Sequence, residues 1–257
     1  MIALILTVDI GNSNIALGGF LGGELSFVAR IATDVSKTPD EYAAKMLGVL
    51  ALHGVASPAF DGAIVSSVVP ALNSVIREAL SLLCGVSPLF VGPGIKTGVN
   101  IHCDDPSSVG ADLICACVAV GKLYSSPSIV IDMGTATKMT LVGKNGAFSG
   151  VSIMPGAFMG LKALSEGTAQ LPQISLEAPL SVIGKNTVDC MKSGVVFGNA
   201  AMLDGMIDRF CDEFGAPLPV IATGGFARAI VPHCKHEMIF DEDLILKGLN
   251  ILYQKNN

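Results

Sequence analysis

The chain has 257 residues, of which 51% are hydrophobic and only 15% charged, and its formal net charge is −6. That length and apolar content specify one large or two medium cores and exclude a disordered chain. The four arginines, Arg30, Arg77, Arg209 and Arg228, are scattered and no basic block exists, which argues against nucleic acid as a partner, since phosphate-backbone binding needs clustered cations.

The N-terminal run MIALILTVDI is apolar for about eight residues, with no basic flank or cleavage site, and reads as a buried strand over 2–9 rather than a signal peptide. Strands are predicted over 15–20 and 24–31, with Gly18, Gly19, Gly22 and Gly23 marking turns. Thr38-Pro39-Asp40-Glu41 has the spacing of a capping box with proline at the first helical position, and the helix runs on through Leu52. A buried strand over 63–69, an amphipathic helix over 71–83 and a short strand over 89–91 follow. Asp105 to Asp112 leads into a helix of about a dozen residues. Strands are then predicted at 128–132, 137–142 and 147–153, helices at 157–165 and 187–214, and a strand at 220–222. The tail 241–254 reads as a helix capped by Asp241. No stretch offers the roughly 18 uncharged apolar residues of a membrane span, so the expectation is a cytoplasmic protein with no membrane partner.

The seven cysteines, at 84, 103, 115, 117, 190, 211 and 234, form no Cys-x-x-Cys pair. Most read as small buried residues in a reducing compartment, Cys115 and Cys117 as helix core, rather than as disulfides or a zinc site.

One pattern occurs twice. Val8-Asp9-Ile10-Gly11-Asn12-Ser13 ends the first strand, and Ile131-Asp132-Met133-Gly134-Thr135-Ala136 ends another near mid-chain. Each sets a carboxylate at a strand tip and follows it with a turn whose amides and small polar side chains can face an anion. A strand-rich opening followed by mixed helices in both halves suggests two similar α/β domains, 1–124 and 125–257, divided near 122–128 where Tyr124-Ser-Ser-Pro-Ser reads as a linker.

Taken in order, Asp9-Ile-Gly-Asn-Ser-Asn14, Thr38-Pro-Asp-Glu-Tyr42, Ser66-Ser-Val-Val-Pro70, Val109-Gly-Ala-Asp112, Asp132-Met-Gly-Thr-Ala136, Pro155-Gly156, Gln170-Leu-Pro172, Gly184-Lys-Asn-Thr187 and Thr223-Gly-Gly225 resemble the type III pantothenate kinases. These belong to the actin and hexokinase superfamily. The resemblance implies two actin-like (ribonuclease H-like) domains with a nucleotide cleft between them, and ATP-dependent phosphorylation of pantothenate at the start of coenzyme A synthesis. It implies Mg²⁺ held by Asp9 and Asp132, and phosphates cradled by Gly11, Asn12, Ser13, Asn14, Gly134 and Thr135. Adenine and ribose would lie on Gly224 and Gly225. Asp112 would be the general base, in an acceptor pocket that includes Cys103, Gly110, Ala111, Leu113 and Ile153. Thr187 would reach the pocket of a partner subunit in a homodimer, and a monovalent cation, K⁺ or NH₄⁺, would activate the enzyme.

The residues themselves leave alternatives. Asp9 and Asp132 can cap strand ends, Asp112 and Thr187 can be helix N-caps, and Gly224-Gly225 can be a plain strand-to-helix turn. The acceptor region also departs from the family pattern. Leu113 stands where the family has an arginine, and Cys103 where it has a tyrosine. A kinase acting on a different small alcohol, or a non-catalytic nucleotide-binding homologue, therefore stays open. After the second turn the family's Thr-Phe-Asp is replaced by Lys138-Met139-Thr140. The reading of that change is that the Lys138 ammonium takes over the electrostatic role of the monovalent cation, the alternative being a surface lysine on a strand.

Overall fold

A computed structural model describes residues 4–55, 60–85 and 87–257. The predicted first strand begins at Ile2, and Ile2 and Ala3 lie outside the described residues. The chain divides into two compact units, one comprising 1–100, 104–124 and 244–257, the other 101–103 and 125–243.

The first unit is built on strands β1 (Leu4–Ile10), β2 (Asn14–Leu21), β3 (Glu24–Ala32), β4 (Gly62–Ser67) and β5 (Leu89–Phe90), in the order β3-β2-β1-β4-β5. β1 to β3 form an antiparallel meander, whereas β4 joins β1 and β5 joins β4 in parallel. Helices α1 (Pro39–Leu52) and α2 (Asn73–Cys84) cover one face, and α3 (Ala111–Leu123) lies on the other. Period-two alternation assigns the faces. Leu6, Val8 and Ile10 of β1 pack with Tyr42, Met46, Leu50, Ile76 and Leu80, while Ile5 packs with Cys115 and Val118 of α3. Asp9 therefore points to the α3 face. The cap of α1 is as predicted: Thr38 Oγ1 accepts the Glu41 N–H and the Glu41 carboxylate accepts the Thr38 N–H at 2.8 Å.

The second unit repeats the plan. Strands β6 (Ser128–Met133), β7 (Ala136–Val142), β8 (Phe148–Pro155), β9 (Val220–Thr223) and β10 (Ile239–Phe240) are ordered β8-β7-β6-β9-β10, with the same antiparallel and parallel pairings. Helices α4 (Ala157–Gly167) and α5 (Thr187–Phe214) enclose a core with Ile129, Ile131 and Met133 on the sheet side. The short α6 (Ala227–Ile230) follows β9. Residues 101–103 join this unit because Ile101 bridges Phe148 and the His102 N–H donates to the Phe148 carbonyl at 2.8 Å.

The tail packs otherwise than its position in the chain suggested. The last helix, α7 (Leu244–Asn256), belongs to the first unit, where Leu246, Leu249 and Leu252 share a core with Ile5, Phe20, Ile64 and Cys115. An apolar stripe at these intervals must find a partner, and α3 provides it. A Cβ on Gly248 would fall 2.1 Å from the Cys115 carbonyl oxygen, so the absent side chain sets the closeness of the α3–α7 approach. The helix also starts later than 241. Asp241 continues from β10, its N–H bonded to the Ala222 carbonyl, and its Oδ1 accepts the Asp243 N–H ahead of the helix.

Candidate functional site

In the first unit the tip of β1, the end of β4 and the start of α3 come together. Asp9 is half-buried, with Ala16 of β2 and Ser66 of β4 as its register neighbours. The Gly11 N–H closes the turn on the Asn14 carbonyl at 3.0 Å, so this glycine shapes the loop while Asn12, Ser13 and Asn14 stand exposed. Thr33, which the sequence did not single out, braces the turn: its Oγ1 donates to the Gly11 carbonyl at 2.7 Å and its N–H to the Ser13 carbonyl at 3.0 Å. The Val68 N–H donates to the Ile10 carbonyl at 3.0 Å, tying the loop after β4 to the same strand tip.

Asp112 lies in the first turn of α3, and the N-cap is Gly110. The N-cap alternative for Asp112 therefore fails. Its buried side chain folds back, Oδ1 accepting the Leu113 N–H at 2.8 Å. A Cβ on Gly110 would meet that oxygen at 2.5 Å, so the bare backbone there leaves the carboxylate its present place. Gly110 and Ala111 are half-buried and Leu113 is buried. One turn on, the Cys115 thiol is pushed well above its ordinary value by burial first, then by the negative charges of Asp9 and Asp112. Asp9 lies on the sheet face that α3 covers, so the candidate metal ligand and the candidate base share one side of the first sheet.

The second unit assembles its turn from three pieces. The Gly134 N–H donates to the Ala136 carbonyl at 3.1 Å, the same closure as at Gly11. The β8–α4 corner presses on this turn, since a Cβ on Gly156 would fall 2.2 Å from the Thr135 carbonyl oxygen. Gly156 is also the N-cap of α4, so the positive end of that helix abuts Gly134 and Thr135. Gly224 has φ +94 and a Cβ there would lie 2.6 Å from the Met133 carbonyl oxygen, so the Gly224-Gly225 turn needs its glycine for both conformation and room. Phe226 then stacks on Phe158 of α4, with centroids 5.9 Å apart and planes 3° from parallel. Neither Gly156 nor this ring pair stood out in the sequence as site-forming.

Lys138 Nζ lies 2.7 Å from Asp132 Oδ2, and the two side chains are 18% and 19% exposed. In register the row reads Thr223, Asp132, Lys138, Ile153 across β9, β6, β7 and β8. The ammonium points at the carboxylate.

The remaining candidates are Cys103, Ile153 and Thr187. Cys103 is exposed, as is Ile153 on β8. Thr187 is the first residue of α5, exposed, and the N-cap is Asn186, whose Oδ1 accepts the Asp189 N–H at 2.9 Å. Its N-cap alternative fails too. Thr187 lines an open groove of about 640 Å³ with Leu164, Leu171, Lys185, Cys190 and Met191. Among the described residues no three His, Cys, Asp or Glu side chains converge as a metal nest. A divalent ion completed by phosphate oxygens fits such a donor set, because Mg²⁺ commonly takes only one or two carboxylates from the protein.

A family profile described as Type III pantothenate kinase matches residues 5–209. The type III pantothenate kinase of Moorella thermoacetica is 40% identical over 253 residues, covering 98% of this chain and 100% of that protein. The type III pantothenate kinase of Dictyoglomus turgidum is 41% identical over 255 residues, covering 98% and 100%. Among solved structures, a conserved Baf family protein from Campylobacter jejuni shares the fold with a TM-score of 0.62 at 19% identity, covering 98% of each chain. The ethanolamine utilization protein EutJ from Carboxydothermus hydrogenoformans does so with a TM-score of 0.57 at 14% identity, covering 96% of this chain and 89% of that one.

Proposed function

The chain belongs to the type III pantothenate kinase family and phosphorylates pantothenate with ATP at the entry to coenzyme A synthesis; we propose that Asp112 is its general base and the two Asp-Gly turns its phosphate loops. The reading rests above all on the first unit, where Asp9 at the tip of β1 faces α3 and α3 carries Asp112 in its first turn.

Phosphoryl transfer from ATP requires charge neutralisation on the β and γ phosphates, alignment, and a group to take the hydroxyl proton. Mg²⁺ at Asp9 would supply the neutralisation. Asp112 takes the proton of the pantothenate hydroxyl at a carboxylate oxygen. The hydroxyl oxygen bonds to the γ phosphorus, the bond to the bridging oxygen breaks, and the electron pair leaves with ADP. Helix α3 assists by holding Asp112 in its first turn, with Oδ1 fixed by the Leu113 N–H. Within the second unit, the Gly134-Thr135 turn with the N-terminus of α4 behind it would hold phosphate, and the bare backbone of Gly224-Gly225 the nucleoside.

The acceptor's carboxylate is not met by an arginine at position 113, so its recognition falls to the rest of the pocket. A homodimer in which Thr187 serves the partner's pocket accounts for the exposure of Ile153, Phe158, Val182 and Ile183 on the second unit. ADP release with pantothenate, compared with a panel of small alcohols, tests the assignment. Turnover confined to another alcohol defeats it.

A further inference from the structure

We infer that the Lys138 ammonium is a built-in counter-ion of the Asp132–Thr135 turn, so that nucleotide binding there draws no monovalent cation from solution. The inference rests on the reading of that turn as a phosphate loop. The pair is held at 2.7 Å, a charge-assisted hydrogen-bond distance, with both side chains more than four-fifths enclosed. The sheet fixes it: Lys138 stands opposite Asp132 in the β6–β7 register and opposite Ile153 in the β7–β8 register, so the ammonium is presented by a central strand and not by a loose loop.

Thr140, two residues beyond Lys138 on the same strand face, is buried and contributes a hydroxyl, so it adds no second negative charge. An ion from solution seated on Asp132 would have to share the carboxylate with an ammonium already in contact, and like charges at such range repel. The residues at this position do not fit a diffusible K⁺ or NH₄⁺.

The competing role is a salt bridge that only ties β6 to β7, and exchange of salts separates the two. The full chain is unfolded thermally with Mg²⁺ and with or without ADP, in potassium chloride and in choline chloride at equal ionic strength, as wild type and as Lys138→Met. The expected result is that ADP stabilises the wild type equally in both salts, whereas Lys138→Met loses ADP stabilisation in choline and regains it with K⁺ or NH₄⁺. Wild-type stabilisation that rises with K⁺ overturns the inference, and this arm needs no variant. A folded Lys138→Met that binds ADP equally well in choline overturns it, as does a loss that no monovalent cation restores. ADP release with pantothenate is expected to follow the same pattern, with a drop of about tenfold or more for Lys138→Met in choline. Absence of pantothenate turnover beside intact ADP binding would count against the acceptor and leave the ion result standing.

Discussion

Asp112→Asn separates chemistry from architecture at this site. The carboxylate accepts the Leu113 N–H at 2.8 Å in the first turn of α3, and an amide oxygen can accept the same bond. What the substitution removes is the charge. At a helix N-terminus that charge contributes about 0.3–1 kcal/mol, which for a chain of this size lowers the melting temperature by roughly 2–4 °C per kcal/mol. Loss of a positioned general base costs about 10²–10⁴ in rate, or roughly 3–5 kcal/mol of barrier. The expected outcome is a kcat for pantothenate-dependent ADP release down by that factor, with a melt shifted by no more than about 4 °C. Asp112→Ala should be as inactive and less stable, because it also strands the Leu113 N–H at a cost of about 1–3 kcal/mol. Asn retaining turnover within about tenfold of wild type would refute the role of Asp112 as base.

Leu113→Arg should lower the KM for pantothenate by about ten- to a hundredfold, the worth of a charge-assisted hydrogen bond to the acceptor carboxylate; steady-state kinetics showing an unchanged KM in a folded variant would place residue 113 outside the pocket. Gly248→Ala should destabilise the first unit despite gaining up to about 1 kcal/mol of helix propensity, since overpacking the α3–α7 contact costs about 1–3 kcal/mol; an unchanged or raised melting temperature would contradict the close approach. Burial pushes the thiols of Cys84, Cys117 and Cys234 up to about 12, with Asp204 adding to the effect on Cys234, and raises Cys115 well above its usual range. Raised thiols stay protonated and unreactive below their pKa, so iodoacetamide at pH 8 should label exposed Cys103 and Cys190 and spare these four until the pH nears their range or the protein unfolds. Peptide mass mapping reads the pattern.

Local features carried most of the legible fold. The Thr38 capping box depends on four consecutive residues, and the two Asp-Gly turns depend on six each, so both could be read without knowing their neighbours. The 187–214 helix was legible as a long helical segment, although its caps, Asn186 and Gly215 at φ +83, were not identified. What escaped detection depends on distant partners. β10 is two residues long and forms only because β9 offers an edge beside it. Gly156 and Gly248 matter through the backbone each approaches, and nothing in their own flanks specifies that approach. Lys138 was identifiable as a departure in the sequence, yet a strand lysine is as readily a surface residue; the β6–β7 register is what aims it at Asp132. For Asp112 and Thr187 the sequence allowed capping roles, and these go to their neighbours Gly110 and Asn186.

The return of α7 to the first unit bears on how the protein is made. Residues 125–243 are contiguous, so the second unit has its whole complement of strands and helices as soon as that stretch leaves the ribosome. The first unit, although translated earlier, waits for Leu246, Leu249 and Leu252 to seal the face of its sheet beside α3. At about 5–20 residues per second, that sheet face and the apolar side of α3 stay without their cover for seconds after their own synthesis. The half translated first is thus the half that finishes folding last, and a nascent chain released short of 244 exposes the core that adjoins Asp9 and Asp112.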